Sequence, residues 1–154
     1  GFGTIGHSLG GHNAIYTAVF DKRITVLASS CGFDVYTDYY DGVERNWFFG
    51  RGWCQIRYMP RLSDYRGRTK EIPFDFPELL GALAPRSLFV HAPLRDSNFR
   101  WKSVDVCAKA AQPVYKLLGN ENGLIIKHPD YNHNFPKDMR EGAYKLMDSV
   151  LKKD

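Results

Sequence analysis

Residues 6–11 read Gly-His-Ser-Leu-Gly-Gly, and they stand between an apolar run at residues 2–5 and a helical pattern that continues to residue 20. The stretch fits Gly-x-Ser-x-Gly, the pattern of a nucleophile elbow, in which a serine lies on a tight turn between a strand and a helix. The three elements follow one another in the order that the motif requires, so Ser8 is the candidate nucleophile. We expect glycine at Gly6 and Gly10 because a side chain at either position would clash with the adjacent strand and helix.

Apolar runs alternate with helical patterns along most of the remaining chain. Short apolar runs predict further buried strands at residues 24–30, 87–92 and 124–128. Helix signals predict helices at residues 76–84, 104–118 and 136–151. Pro113 is expected to kink or split the second of these helices. Strands joined through helices pair in parallel, so the predicted class is α/β, with a parallel sheet of about four strands flanked by helices.

Residues 33–74 interrupt this alternation, and we call them the aromatic insertion. The segment holds eleven aromatic residues with glycines between them. It shows no sustained strand or helix period. We expect it to lie above the carboxyl ends of the strands, where α/β folds bind ligands. Most of its rings should pack the insertion onto the body of the domain, and a minority should face a substrate.

The bulk properties exclude several classes of protein. A length of 154 residues predicts a single domain, and its 44% hydrophobic and 25% charged residues are ordinary for a globular chain. No apolar stretch is long enough to cross a membrane. The three cysteines are widely spaced, which is typical neither of a disulfide framework nor of a zinc site. Cys31 and Cys107 are expected to be small core residues.

The positive net charge comes from one segment. Residues 45–70 hold seven arginine and lysine residues against one aspartate. Such a surface can attract anionic substrates. We favour the simpler interpretation of a solvated loop, or of arginines paired with acids outside this chain, and we expect no nucleic-acid partner.

Two further residues can complete a catalytic triad with Ser8. A serine hydroxyl needs a base, and that base needs an orienting acid. In a parallel sheet such groups come from loops at the carboxyl ends of neighbouring strands. Asp96 lies in the loop after the third predicted strand, and His133 lies after the fourth. The order serine, acid, histidine suits a nucleophile elbow, so Ser8, Asp96 and His133 are the candidate triad.

Other residues compete for these roles. Asp34 follows the second strand and is the rival of Asp96, since an acid can be supplied from that strand end too. Four other histidines are expected to be structural or to shape the pocket: His7, His12, His91 and His128.

The backbone N–H of Leu9 is the candidate oxyanion donor, because it lies at a helix start, where N–H groups favour negative charge. A second donor normally comes from a loop early in such a fold. Only seven residues precede Ser8. We therefore expect residues 1–154 to be the C-terminal part of a larger hydrolase domain, with impaired activity on their own.

Three segments resemble α/β-hydrolases: residues 6–11, residues 92–99 (Ala-Pro-Leu-Arg-Asp-Ser-Asn-Phe) and residues 128–136 (His-Pro-Asp-Tyr-Asn-His-Asn-Phe-Pro). The similarity is greatest to the branch of dienelactone hydrolases, acetyl xylan esterases and prolyl-oligopeptidase-like enzymes. It covers nearly the whole chain, weakly across residues 34–74. Dienelactone hydrolases carry a cysteine nucleophile, so Ser8 favours an esterase-like member. Oligopeptidase elbows usually carry an aromatic residue where Leu9 stands.

The resemblance implies a serine esterase, with Ser8, Asp96 and His133 matching the family triad by position. It implies cleavage of small-molecule or carbohydrate carboxylic esters through an acyl-enzyme, without a metal or organic cofactor. The alternatives are an oligopeptidase-like serine peptidase and a non-catalytic protein that keeps this fold.

Overall fold

The computed structural model describes residues 1–152, and its centre is a single parallel sheet. The strands lie in the order β1 (Phe2–His7), β2 (Ile24–Ser30), β3 (Ser87–His91) and β4 (Leu124–Lys127). All three strand pairs are parallel, which confirms the predicted α/β class. β1 is two residues longer than expected, whereas β3 and β4 each end one residue early. Among the described residues β1 pairs only with β2, and Phe2 and Ile5 on it are exposed.

Helices cover both faces of the sheet: α1 (Leu9–Phe20), α2 (Phe76–Leu83), α3 (Trp101–Leu117) and α4 (Lys137–Leu151). Successive residues of a strand point to opposite faces, so neighbours on one strand belong to different cores. Leu27 packs in the main core with α1, α2 and α3, whereas Ala28 packs with α4 on the other face. Within residues 1–152 no helix has both the length and the apolar character needed to span a membrane.

Local capping explains where α2 begins. Asp75 accepts a hydrogen bond from the N–H of Phe76, and Glu78 accepts one from the N–H of Asp75. This reciprocal capping box satisfies N–H groups that the first helical turn leaves without partners. The predicted start of this helix is therefore confirmed.

Helix α3 differs from the expectation in two ways. It begins at Trp101, before the predicted residue 104, because the N–H groups of Ser103 and Val104 already donate to the Arg100 carbonyl, at 3.0 Å and 3.1 Å. The helix also continues through Pro113, so of the expected kink or split the split is wrong. Pro113 and Lys109 both face solvent, where water can satisfy the Lys109 carbonyl that the proline leaves unpaired.

The aromatic insertion contains five short turns of 3-10 helix and neither an α-helix nor a strand, and all of its residues are described. Its largest buried rings are Phe33, Tyr36, Tyr39, Trp47 and Trp53. Phe48 and Phe49 are instead exposed, at 44% and 64%. Tyr58 and Phe74 are partly buried and also pack against the core. Seven of the eleven rings therefore anchor the segment to the domain, which agrees with the expectation for most of them.

Three of the seven basic residues of the insertion form ion pairs within it. Arg61 pairs with Asp64, Arg66 with Glu44, and Arg68 with Glu71. All of these side chains are exposed, so solvent screening leaves each pair worth little stability. The favoured interpretation of a solvated loop agrees with this arrangement, although the partners lie inside the chain.

Candidate active site

Ser8 occupies a strained turn between β1 and α1. Its φ of 54° and ψ of −121° lie outside the regions that non-glycine residues favour. The Ser8 N–H donates to the Ser30 carbonyl at 2.8 Å, which fixes the turn against β2. Backbone strain of this kind persists only when the surroundings hold it, and it is common at functional sites.

The structure separates the roles of the elbow glycines. A Cβ at Gly6 would lie 2.1 Å from the Gly10 carbonyl, and one at Gly11 would lie 2.8 Å from the Ser30 oxygen. At Gly10 no described atom lies within 4 Å of the corresponding position. The expectation is therefore right for Gly6 and wrong for Gly10, because the helix turns that residue away from β2 and leaves Gly11 to meet the strand.

Ser8, His133 and Asp96 form a continuous chain of hydrogen bonds. Ser8 Oγ lies 2.9 Å from Nε2 of His133. The other ring nitrogen, Nδ1, lies 2.9 Å and 3.0 Å from the two carboxylate oxygens of Asp96. The three residues follow β1, β4 and β3, so the loops at the carboxyl ends of three parallel strands bring them together.

The Asp96 carboxylate is held as an anion. Its side chain is 1% exposed, and Oδ1 also accepts the N–H groups of Asn98 at 2.7 Å and Phe99 at 3.2 Å. Burial opposes ionisation, but the hydrogen bonds from His133 and from these two N–H groups outweigh it and lower the pKa of Asp96. An ionised Asp96 requires the proton of His133 to be on Nδ1, which leaves Nε2 free to accept from Ser8.

A row of polar side chains underlies this site, and the sequence alone did not reveal it. His7, Ser30 and His91 are in register across β1, β2 and β3. Ser30 Oγ lies 3.1 Å from Nδ1 of His7 and 2.8 Å from Nδ1 of His91. The ring of Phe135 stacks on both imidazoles, so the row supports the loop that carries His133. Strand register is the only signal that could have predicted this contact.

Cys31 is the second residue that the sequence did not assign to the site. It is buried, with a φ of 48°, and its N–H donates to the His91 carbonyl at 2.8 Å. Its Sγ lies within 4.8 Å of the nearest ligand atoms of Asp96 and His133. Burial, followed by the nearby Asp96 charge, raises the pKa of the Cys31 thiol.

Within residues 1–152, the rival acid Asp34 makes no hydrogen bond to a histidine. One of its oxygens accepts the N–H of Arg100 at 3.2 Å, and the other has no partner among the described residues. Asp34 is 2% exposed, and this burial raises its pKa to about 8. Of the two candidate acids, Asp96 is the one that the fold places against His133.

The remaining histidines have structural surroundings. His12 is buried and stacks on Trp53 with ring centroids 4.0 Å apart, and burial lowers its pKa to about 4. His128 lies 2.8 Å from Asp105 and 2.6 Å from the Ala92 carbonyl.

Leu9 begins helix α1, and no side chain caps that helix end. The N–H groups of a first helical turn have no acceptor within the helix. The Leu9 N–H therefore points outward from the helix start beside Ser8, and its role as an oxyanion donor stays a prediction.

A parallel sheet whose strand ends bring serine, aspartate and histidine together, in this chain order and on a nucleophile elbow, defines the α/β-hydrolase class. The family model described as "Glucuronyl esterase, fungi" matches residues 1–119. The chain belongs to this glucuronyl esterase family. No curated protein matches the chain in sequence.

Solved structures share the fold. A glucuronoyl esterase from Solibacter usitatus is 23% identical, with a TM-score of 0.74 over 94% of this chain and 41% of that one. The carbohydrate esterase family 15 glucuronoyl esterase from Caldicellulosiruptor kristjansonii is 18% identical, with a TM-score of 0.77 over 97% of this chain and 43% of that one. The glucuronoyl esterase catalytic domain from Hypocrea jecorina is 20% identical, with a TM-score of 0.70 over 97% and 44%.

The chain thus spans about two fifths of the length of the structures it resembles. The α/β-hydrolase resemblance expected from the sequence is confirmed, and esterases are the members matched. These comparisons do not support the narrower expectation of a dienelactone hydrolase or acetyl xylan esterase.

Proposed function

We propose that the protein hydrolyses carboxylic esters of carbohydrates, with Ser8 as the nucleophile. The observation that carries this proposal is the unbroken hydrogen-bond chain from Ser8 Oγ through the His133 ring to the Asp96 carboxylate. The strained elbow supports it, because the surrounding fold holds the serine in a conformation that non-glycine residues rarely adopt.

The residues act in a fixed order in this mechanism. His133 Nε2 takes the Ser8 proton as Oγ attacks the ester carbonyl, and Asp96 stabilises the imidazolium that forms. His133 then gives the proton to the departing alcohol, which leaves an acyl group on Ser8. Water, deprotonated by His133, attacks that acyl group and releases the acid.

Negative charge that develops on the carbonyl oxygen needs hydrogen-bond donors. The Leu9 N–H supplies one, at the positive end of the α1 dipole. A complete oxyanion hole requires a second donor, and its loss costs about a hundred- to a thousand-fold in rate.

The proposed substrates are esters in which a sugar acid is the acyl part, such as esters of glucuronic acid. Membership of the glucuronyl esterase family supports this choice over acetylated sugars. In a glucuronic acid ester the carbonyl that Ser8 attacks belongs to the sugar, so the sugar stays on the enzyme as the acyl group.

A fluorophosphonate probe tests the nucleophile directly. The wild-type protein should be labelled once, and Ser8→Ala should abolish the labelling. Ser97→Ala is the matched control, because this exposed serine lies beside Asp96 but bonds only to Asn98. Labelling that persists in Ser8→Ala would refute the proposed nucleophile.

Substrate choice separates the alternatives. A benzyl ester of glucuronic acid should be cleaved faster than an acetylated xylose or a chromogenic peptide. Preference for the peptide would favour the oligopeptidase-like alternative. Labelling of Ser8 without turnover of any ester would contradict the proposed activity.

A further inference from the structure

The buried thiol of Cys31 lies close to two members of the candidate triad, Asp96 and His133. A ring nitrogen of His133, an oxygen of Asp96 and Sγ of Cys31 are all within 4.8 Å of one another. Nδ1 is the ring nitrogen that lies beside Asp96, at 2.9 Å from its carboxylate, so we take it as the ligand atom. These atoms form a set of one sulfur, one imidazole nitrogen and one carboxylate oxygen. Thiolate and imidazole are the ligands that zinc and related soft cations prefer, and a carboxylate can complete such a site.

We propose that Cys31, Asp96 and His133 form an inhibitory binding site for a thiophilic divalent cation such as zinc or cadmium. The site uses the buried edge of the triad and leaves Ser8 uncoordinated. Its effect on catalysis rests on the proposed function, whereas its ability to bind a cation does not.

The geometry needs only a small rearrangement to accept such an ion. Tetrahedral zinc holds sulfur, nitrogen and oxygen ligands roughly 3.3 to 3.6 Å from one another. The nitrogen and oxygen are 2.9 Å apart and the sulfur is within 4.8 Å, so movements of about 1 Å close the site. The Asn134 carbonyl, 3.6 Å from Sγ, is available as a fourth ligand.

Two features keep the thiol in position for this role. The Cys31 N–H is bonded to the His91 carbonyl, and its left-handed backbone conformation is held by β2 and β3 on either side. The His133 side chain is 20% exposed, which gives an ion access to the imidazole from solvent.

Coordination would disable the base by changing its tautomer. An ion that binds the lone pair of Nδ1 requires the imidazole proton to be on Nε2, which can then no longer accept the proton of Ser8. The thiol loses its own proton when it binds the ion. Each ion bound therefore releases one proton from Cys31 and moves one proton between the nitrogens of His133, with no oxidation or reduction.

Cadmium titration tests binding without reference to activity. The wild-type protein should bind one equivalent with an ultraviolet thiolate-to-cadmium charge-transfer band and the release of one proton. Cys31→Ala should lose the band and weaken binding by at least about tenfold, since even outer-shell partners cost that much. Cys107→Ala is the control, because that thiol is equally buried but lies in α3.

Inhibition is measured on the same variants as the rate of fluorophosphonate labelling, and each variant is compared with its own rate in the absence of metal. Cadmium or zinc should slow fluorophosphonate labelling of wild type and Cys107→Ala, and a chelator should restore it. Cys31→Ser repeats the test if alanine impairs folding, because a hydroxyl is a poor ligand for soft cations. An unchanged band or unchanged inhibition in both Cys31 variants would overturn the site. If the protein shows the charge-transfer band but never reacts with the fluorophosphonate probe, the cation site is supported and the proposed function is refuted.

Discussion

Asp96 and His133 are 37 residues apart in the chain, yet both carboxylate oxygens of Asp96 lie within 3.0 Å of the same ring nitrogen of His133. The two loops meet because β3 and β4 are adjacent and parallel, so their carboxyl ends lie at the same edge of the sheet. The main-chain N–H groups of Asn98 and Phe99 donate to Oδ1 of the same carboxylate. The loop that carries Asp96 therefore orients the carboxylate independently of the histidine.

Substitution of each candidate acid should show whether Asp96 or Asp34 is the acid of the triad. We expect Asp96→Asn to lower kcat by about ten-thousandfold, because the amide would favour the wrong tautomer of His133. Asp34→Asn should leave kcat close to wild type, since Asp34 bonds to the Arg100 N–H and not to a histidine. Steady-state hydrolysis of a glucuronic acid ester measures both. A larger loss for Asp34→Asn would reverse the assignment.

The buried carboxyl of Asp34 should make stability depend on pH. The unfolded chain releases this proton near pH 4, whereas the folded protein holds it to about pH 8. The free energy of unfolding should therefore fall as the pH rises between these values. Asp34→Asn removes this ionisation. The free energy of unfolding of the variant, measured relative to wild type, should therefore be higher at pH 8 than at pH 5 by at least about 1 kcal/mol.

Urea denaturation at pH 5 and pH 8 provides the measurement. Equal pH dependence in wild type and Asp34→Asn would show that Asp34 does not titrate in this range.

The elbow glycines should differ in their tolerance of a methyl group. Gly11→Ala should destabilise the fold by about 1–3 kcal/mol, because its Cβ would press on Ser30, Ser29 and Gly32. Gly10→Ala should be neutral or stabilising by up to about 1 kcal/mol, since alanine is the better helix residue and no described atom crowds it. Thermal denaturation of the two variants side by side checks the order, and the reverse order would contradict the packing described.

Removal of the Ser30 hydroxyl should weaken the support beneath the site. Ser30→Ala removes the hydroxyl partner of the buried His91 Nδ1 and leaves it only the weaker contact with Cys31 Sγ at 3.9 Å, which should cost about 1–3 kcal/mol. It should also lower kcat more than it raises KM, because Phe135 and the His133 loop rest on this row. Ser149→Ala on the exposed face of α4 is the matched control. If Ser30→Ala leaves stability and kinetics unchanged, the row of His7, Ser30 and His91 does not support the site.

Local patterns were sufficient for the elements themselves. The apolar runs predicted all four strands of the sheet, and local helix signals predicted that α2 begins at residue 76. The predictions for Pro113 and Gly10 were wrong because the effect of each residue depends on what surrounds it in the folded protein. Pro113 is tolerated because it faces solvent, and Gly10 is unconstrained because Gly11, rather than Gly10, meets the neighbouring strand.

The sequence by itself determined the strand–turn–helix order around Ser8 and the order of serine, acid and histidine along the chain, because both are properties of neighbouring residues or of linear position. Only the tertiary structure decided that Asp96 rather than Asp34 meets His133, and that Cys31 and the His7–Ser30–His91 row lie beneath them. These contacts join residues far apart in the chain and depend on strand register and side-chain direction. Hydrophobic periodicity indicates which face of a strand is buried, but it does not indicate which residue of the next strand lies opposite a given residue.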